Sequence, residues 1–177
     1  MEGKYPVITL CGSTRFRPAF TEAQKKLTLA GNIVISVGLF GHAGDEEVWE
    51  GMDEDTLTET KRMLDDMHKR KIDMADAIYV INQDGYIGES TASEIAYAAR
   101  TGKGIRYLEE KEELRCPCCG QYFFSQKRSY EICPVCGWED DPVQREDPDF
   151  SGGANAESLK EAQEKYRFRK MTGAQLP

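Results

Sequence analysis

Apolar runs alternate with segments of helical periodicity between residues 7 and 108. Four of these runs are short, and most contain β-branched residues, which is typical of buried strands: residues 7–11, 33–37, 77–81 and 104–108. After the first run, apolar side chains recur every three or four positions, as on one face of a helix: Phe16, Phe20, Ala23, Leu27 and Ala30. This strand–helix–strand order predicts parallel strands that are joined by right-handed crossovers.

A second helix is predicted from Thr56, which has capping-box spacing with Glu59, to about Ala75. One stripe of this helix is apolar, and we interpret it as core: Leu57, Leu64, Met67 and Met74. His68 lies outside that stripe, so we expect an exposed side chain, with a position that points toward a site as the alternative.

Residues 1–110 are therefore predicted to form a flavodoxin-like or Rossmann-like α/β domain. Its parallel sheet should have about four to five strands, with helices on both faces. Residues 38–55 contain several glycines and acidic residues and no helical or strand period. A loop of this length is uncommon in a compact domain unless it forms a lid or a binding segment. A merely mobile loop is the alternative, and His42 within it is expected to have no special role.

Composition narrows the range of partners. The chain has 177 residues and a net charge of -8, which argues against binding to extended nucleic acid. No apolar run approaches the roughly 20 residues that span a bilayer, so we expect no membrane segment. Residues 1–6 lack the basic and apolar regions of a secretory signal, which makes the cytoplasm the expected location.

Residues 111–177 carry a strong metal-binding signal. Five of the six cysteines fall within residues 116–136, and four of them form two C-x2-C pairs separated by thirteen residues: Cys116, Cys119, Cys133 and Cys136. Four thiolates at this spacing favour a structural Zn²⁺ site, because a tetrahedral ion then has no open position. Cys118 is either a spare thiol or an alternative ligand. A redox role for the C-x2-C pairs is the weaker interpretation.

The rest of this module is predicted to be a zinc ribbon followed by a helix. Residues 122–124 and 130–132 have the composition of short antiparallel strands. Asn155 is expected to cap a final helix that carries Leu159, Ala162 and Tyr166. The segment from Cys116 to about Arg169 resembles the small cysteine-rich CPCC family of bacterial proteins.

Two short motifs of the first domain are candidates for chemistry. Gly12, Ser13, Thr14 and Arg15 lie between a predicted strand and a helix, where backbone N–H groups, hydroxyls and a guanidinium can bind an anion. An ordinary tight turn with a surface arginine is the alternative. No Walker or dinucleotide-binding motif is present in this stretch.

The second motif is residues 88–94, which lead into a helix predicted from about residue 91 to residue 100. Thr91 and Glu94 have capping-box spacing, so Glu94 could simply bond back to the backbone. This helix, however, follows the carboxyl end of a strand, where open α/β sheets bind their ligands. A carboxylate there could attack or stabilise an anomeric carbon.

Residues 5–108 resemble the nucleoside 2-deoxyribosyltransferase superfamily, which includes deoxynucleoside monophosphate N-hydrolases. The resemblance rests on residues 10–13, on residues 91–98 and on Asp76 before the third strand. It implies that Glu94 is the catalytic carboxylate, with Asp76 as a second catalytic residue. The acid that protonates the leaving base is unassigned, with Asp84 and Glu89 as candidates. Substrate and phosphate would be bound by the residues around the two motifs: Gly12, Ser13, Thr14, Arg15, Gly88, Ser90 and Thr91.

Two function hypotheses follow from this resemblance. The first is an enzyme that cleaves or transfers at the N-glycosidic bond of a (deoxy)nucleoside or nucleotide. The second is a sensor that binds a nucleotide-derived ligand without turnover and uses the zinc module to contact a partner protein. The resemblance also implies a homo-oligomer in which a neighbouring chain completes the site.

Overall fold

The computed structural model describes residues 3–172 and divides the chain into two compact units, Met1–Glu109 and Glu110–Pro177. The division lies one residue from the boundary that the sequence predicts. Within the described residues, no helix is both long and apolar enough to cross a bilayer.

The first unit is built on a four-stranded parallel sheet, as the sequence predicts. Its strands are β1 (Val7–Gly12), β2 (Ile33–Ile35), β3 (Ala77–Ile81) and β4 (Gly104–Tyr107). Their spatial order is β2-β1-β3-β4, so the chain moves outward in opposite directions from the central pair. In open α/β sheets, the crevice at such a reversal is the usual ligand site.

Helices α1 (Arg17–Leu29), α2 (Glu54–Asp73) and α3 (Glu89–Arg100) cover both faces of this sheet. The side chains of β1 alternate between these two faces, and both faces are buried. Ile8 and Leu10 join a core cluster with Phe20 of α1. Cys11 points the other way and contacts His68 of α2, because successive side chains of a strand point to opposite faces.

Two predictions for α2 are wrong. The helix begins at Glu54, and its N-cap is Asp53, whose side chain accepts a hydrogen bond from the Thr56 N–H at 2.8 Å. Thr56 is therefore not the cap. The buried residues of the helix are His68 and Ile72, whereas Met67 and Met74 of the predicted core stripe are 46% and 62% exposed. The predicted stripe and the buried pair both have helical spacing. The pair that faces β1 and α3 is the one that is buried.

The second unit has little regular structure. It contains helices α4 (Pro142–Glu146) and α5 (Leu159–Thr172). The strands predicted at residues 122–124 and 130–132 are not formed. Antiparallel pairing in the described part of this unit consists of two isolated bridges, Arg115 with Phe123 and Ile132 with Glu139.

Buried polar side chains organise the chain between the cysteines and α5. Gln144 is fully buried, and its Nε2 lies 2.9–3.1 Å from three carbonyl oxygens, those of Phe150, Asn155 and Glu157. Its Oε1 accepts hydrogen bonds from the backbone and side-chain nitrogens of Asn155. Gln144 therefore closes an otherwise irregular loop onto itself.

The predicted capping role of Asn155 is wrong, since Asn155 belongs to this loop network. Ser158 begins the final helix instead. Its hydroxyl accepts a hydrogen bond from the Glu161 N–H at 3.3 Å, and the Glu161 carboxylate accepts one from the Ser158 N–H at 2.8 Å. This reciprocal pair is a capping box, which satisfies two backbone donors at the start of α5.

Candidate active site and metal centre

A cavity of about 340 Å³ opens in the first unit beside the carboxyl ends of the central strands. Its walls come from the turn after β1, the loop after β2, helix α2 and the first turns of α3. Six of the predicted site residues line it: Gly12, Ser13, Thr14, Ser90, Thr91 and Glu94. Residues far apart in sequence thus meet at the crevice where the strand order reverses.

Glu94 projects into this cavity rather than back to the start of its helix. Helix α3 begins at Glu89 with Gly88 as its N-cap residue, so Thr91 is already inside the helix. The capping-box interpretation of Thr91 and Glu94 is therefore wrong. Burial is the main cause that raises the pKa of Glu94 from 4.5 to about 8.

Glu94 belongs to a tight cluster with Cys11 and His68. The Nε2 atom of His68 lies 3.7 Å from Oε1 of Glu94 and 3.5 Å from Sγ of Cys11. Burial lowers the pKa of His68 to about 4 and raises that of the Cys11 thiol, so these two groups are neutral near pH 7.

The turn after β1 has the backbone that a close approach requires. Gly12 has a φ of +153°, and a Cβ there would lie 2.9 Å from the Ile81 side chain. A larger residue would therefore push β1 and β3 apart at the mouth of the cavity. The turn passes directly into a short 3₁₀ segment, Thr14–Phe16, before α1.

Arg15 does not line the cavity but is tied to a residue that does. Its Nε donates to Ser13 Oγ at 3.1 Å, and its Nη2 donates to the Tyr86 hydroxyl at 3.3 Å. The guanidinium also stacks 4.4 Å from the centre of the Tyr86 ring. A positive charge is thereby held beside the Ser13 hydroxyl, as an anion site requires.

The loop after β2 forms one wall of the cavity. Gly41, His42 and Trp49 line it, and the Trp49 indole donates to the Gly41 carbonyl at 2.9 Å. Phe40 anchors the loop against Phe20, with their ring centres 5.4 Å apart. The loop therefore lines the cavity rather than lying apart from it, and His42 has a place at the cavity that the sequence did not predict.

Two predicted residues lie elsewhere. Asp76 precedes β3, at the amino end of the sheet, and its carboxylate accepts a hydrogen bond from the Val7 N–H at 2.8 Å. Asp76 and Glu94 therefore lie at opposite ends of the central strands. Gly88 precedes α3 as its N-cap residue but is not part of the cavity wall.

The second unit contains a metal-ligand cluster of four cysteines. Sγ of Cys116 lies 3.7 Å from that of Cys136, and Sγ of Cys119 lies 3.6 Å from that of Cys133. All four sulfur atoms lie within 4.8 Å of one another. A tetrahedron with metal–sulfur bonds of 2.3 Å has edges of about 3.8 Å, so the four positions fit one ion.

Two equivalent turns hold these sulfur atoms. In each, a glycine with positive φ donates its N–H to the carbonyl of the first cysteine of the pair, at 3.0 Å for Gly120 and 2.9 Å for Gly137. The Gln121 N–H also points to Sγ of Cys119 at 3.4 Å, a contact that stabilises a thiolate. The extra thiol, Cys118, is partly exposed and lies outside the four-cysteine group.

Residues 114–174 match the family described as cysteine-rich CPCC. This part of the chain is therefore a CPCC domain, in agreement with the resemblance seen in the sequence. A comparison of the chain with curated proteins found no match.

Neither Cys11 nor His68 was among the site residues predicted from the sequence, although a position of His68 toward a site was one of its two alternatives. A signal for His68 was present, since it has helical spacing with Ile72 and Ala75, which are both buried. Cys11 was interpreted as part of an apolar strand and of the motif at residues 10–13, without a role of its own. The alternation of side chains along β1 places it opposite Leu10, on the face that α2 and α3 cover.

Proposed function

We propose that the first unit cleaves or transfers at the N-glycosidic bond of a (deoxy)nucleoside or nucleotide, with Glu94 as the reacting carboxylate. One observation carries this proposal: the Glu94 carboxyl group and the turn at residues 12–14, which come from different elements, open into the same cavity. A nucleotide fits this arrangement, because it carries a phosphate and an anomeric carbon at different parts of one small molecule. The turn would bind the phosphate, and Glu94 would face the anomeric carbon.

The size and polarity of the cavity fit this substrate class. Its volume of about 340 Å³ falls at the small end of the range of about 300–1,000 Å³ for ligand pockets. Trp49 and Leu39 provide apolar surface for a base, and Ser13 with Arg15 provides donors for a phosphate. The resemblance of residues 5–108 to the nucleoside 2-deoxyribosyltransferase superfamily supports the same assignment.

The chemistry requires the ionised carboxylate. A Glu94 oxygen attacks the anomeric carbon while the bond to the base breaks, and the bonding electrons leave with the base, which takes up a proton from water. Water or a second base then displaces the carboxylate from the sugar. If no covalent bond forms, the same carboxylate stabilises the positive charge that develops on the sugar ring.

The CPCC domain contributes a structural metal site in this proposal. We infer that the ion is Zn²⁺, because four thiolates at tetrahedral distances are the ligand set it prefers. Cys116, Cys119, Cys133 and Cys136 would fill every position of the ion. The site would then stabilise the fold of the domain rather than take part in a reaction.

A sensor is the second candidate, and the pKa of Glu94 favours it. A carboxyl group with a pKa of about 8 is mostly neutral at pH 7, and a neutral carboxyl donates a hydrogen bond to a ligand but does not attack it. In that case the first unit binds a nucleotide-derived ligand without turnover, and the CPCC domain contacts a partner protein.

Release of free base from deoxynucleosides and their monophosphates tests the proposal, with Glu94→Gln compared against Glu89→Gln. Both variants replace a carboxylate on α3 by an amide, but Glu89 is exposed and lies outside the cavity wall. We expect Glu94→Gln to lower the rate roughly 100-fold or more and Glu89→Gln to leave it unchanged. Unchanged base release by Glu94→Gln would exclude the carboxylate from the reaction.

A further inference from the structure

Three different metal-ligating atoms converge beside the cavity of the first unit. Sγ of Cys11, Nε2 of His68 and a carboxylate oxygen of Glu94 all lie within 4.8 Å of one another. They come from β1, α2 and α3, so the packing of these three elements on one another brings the three atoms together. This cluster is separate from the four cysteines of the CPCC domain.

The arrangement differs from a nucleophile–base–acid relay. In such a relay, the histidine uses one ring nitrogen for the nucleophile and the other for the acid. Here Cys11 and Glu94 both approach the same nitrogen, Nε2, at 3.5 and 3.7 Å. Convergence of a sulfur, a nitrogen and an oxygen on one point is the geometry of ligands around an ion.

A second observation points to a missing partner. Oε2 of Glu94 is buried, and no group in the described residues 3–172 is positioned to hydrogen-bond it. A buried carboxylate oxygen without a partner is destabilising, because it has lost its contacts with water.

We propose that Cys11, His68 and Glu94 form a second metal site, for Zn²⁺ or a similar borderline-soft divalent ion. A tetrahedral zinc ion with ordinary bond lengths separates its sulfur and nitrogen ligands by about 3.6 Å and its nitrogen and oxygen ligands by about 3.4 Å. The corresponding separations of 3.5 and 3.7 Å are close to these values. A small side-chain movement of Glu94 is enough to complete the set.

This site would be open on one side. His68 and Glu94 line the cavity, whereas Cys11 is fully buried behind them. Three protein ligands leave the fourth position of a tetrahedral ion free for water or another small ligand from the cavity. The inference goes beyond the proposed function, because the ion would occupy the carboxylate that the glycosidic reaction needs. Bound metal and nucleotide substrate would therefore exclude each other.

Metal content of the full chain is the first test. Reduced protein is incubated with excess Zn²⁺, dialysed against metal-free buffer with a weak competitor and analysed for zinc. We expect two ions per chain for the wild-type protein and one for His68→Gln. The matched control is His42→Ala, which removes the other of the two histidines, also at the cavity wall, and should retain two ions.

Imidazole ¹⁵N resonances of the wild-type protein give a readout that needs no variant. With two histidines in the chain, a second equivalent of Zn²⁺ should shift one imidazole strongly and leave the other nearly unchanged. Uptake of one ion only, retention of two ions by His68→Gln, or no imidazole shift would overturn the proposal. Zinc is measured without substrate and base release without added zinc, so either proposal can fail independently of the other.

Discussion

The Glu94 carboxylate lies 3.7 Å from the Nε2 atom of His68, in a cluster that the Cys11 thiol completes. Burial favours the neutral form of both groups, because it raises the pKa of Glu94 to about 8 and lowers that of His68 to about 4. The carboxyl group that the proposed reaction needs in ionised form is therefore mostly protonated at pH 7.

This pKa predicts the pH dependence of the reaction. The ionised fraction of Glu94 increases as the pH rises toward about 8, so kcat/KM should rise about tenfold per pH unit below that value and then level off. His68 stays neutral over the same range and adds no second limb. Base release in metal-free buffers from pH 5.5 to pH 9 is the measurement. A rate that falls across this range would instead make Glu94 a proton donor.

The turn and the helix that form this site were predicted from the sequence, whereas the contacts among Cys11, His68 and Glu94 were not. Residues 10–13 and 91–98 located the turn and the helix, because strand-to-helix transitions have recognisable patterns of apolar residues and glycine. The burial of His68 was not predicted, since Leu64 and Met67 gave an equally regular stripe on the same helix. Only the packing of α2 against Cys11 and α3 distinguishes the two faces.

Asp76 illustrates a second limit of sequence reasoning. The resemblance assigned it a catalytic role from its place before the third strand. In a parallel sheet, however, a residue before a strand lies at the amino edge, and Asp76 bonds the Val7 N–H there. The strands predicted in the CPCC domain are a third case. Only isolated bridges form there, and the Asp140 carboxylate, rather than a partner strand, accepts hydrogen bonds from the Arg128 and Ser129 N–H groups between the predicted strands.

The anion site is tested by binding of inorganic phosphate to Arg15→Ala. Loss of a guanidinium beside the Ser13 hydroxyl should weaken phosphate binding roughly 10- to 100-fold, because a charge-assisted hydrogen bond contributes about 1.5–3 kcal/mol. Arg100→Ala is a matched control, since Arg100 also stacks on a tyrosine, Tyr97, but at the far end of α3. Titration calorimetry measures both. Equal affinities in the two variants would remove Arg15 from the site.

Removal of the metal from the CPCC domain should unfold this domain selectively. Cys119→Ser deletes one of the four ligands and should lose the ion, whereas Cys118→Ser should keep it. Each unit contains one tryptophan, Trp49 and Trp138, so emission from a Trp49→Phe protein reports the CPCC domain alone. A strong chelator should shift that emission to the red. A folded CPCC domain without any metal would contradict the structural role.

Gln144 should be among the most sensitive polar positions of the CPCC domain. Gln144→Ala removes a fully buried side chain and the donor shared by the carbonyl groups of Phe150, Asn155 and Glu157, at a cost of about 2–4 kcal/mol in the free energy of unfolding. Gln126→Ala, an exposed position, should change stability by less than about 0.5 kcal/mol. Urea denaturation followed by Trp138 emission compares the two, and equal stabilities would mean that the network is dispensable.

The most direct test of the central claim is a time course of base release by the wild-type protein from a panel of deoxynucleosides and their 5′-monophosphates. We expect free base to accumulate with at least one member of the panel, over many turnovers per chain. Binding of a nucleotide in the Glu94 cavity without any release of base would contradict the claim and would identify the first unit as a sensor.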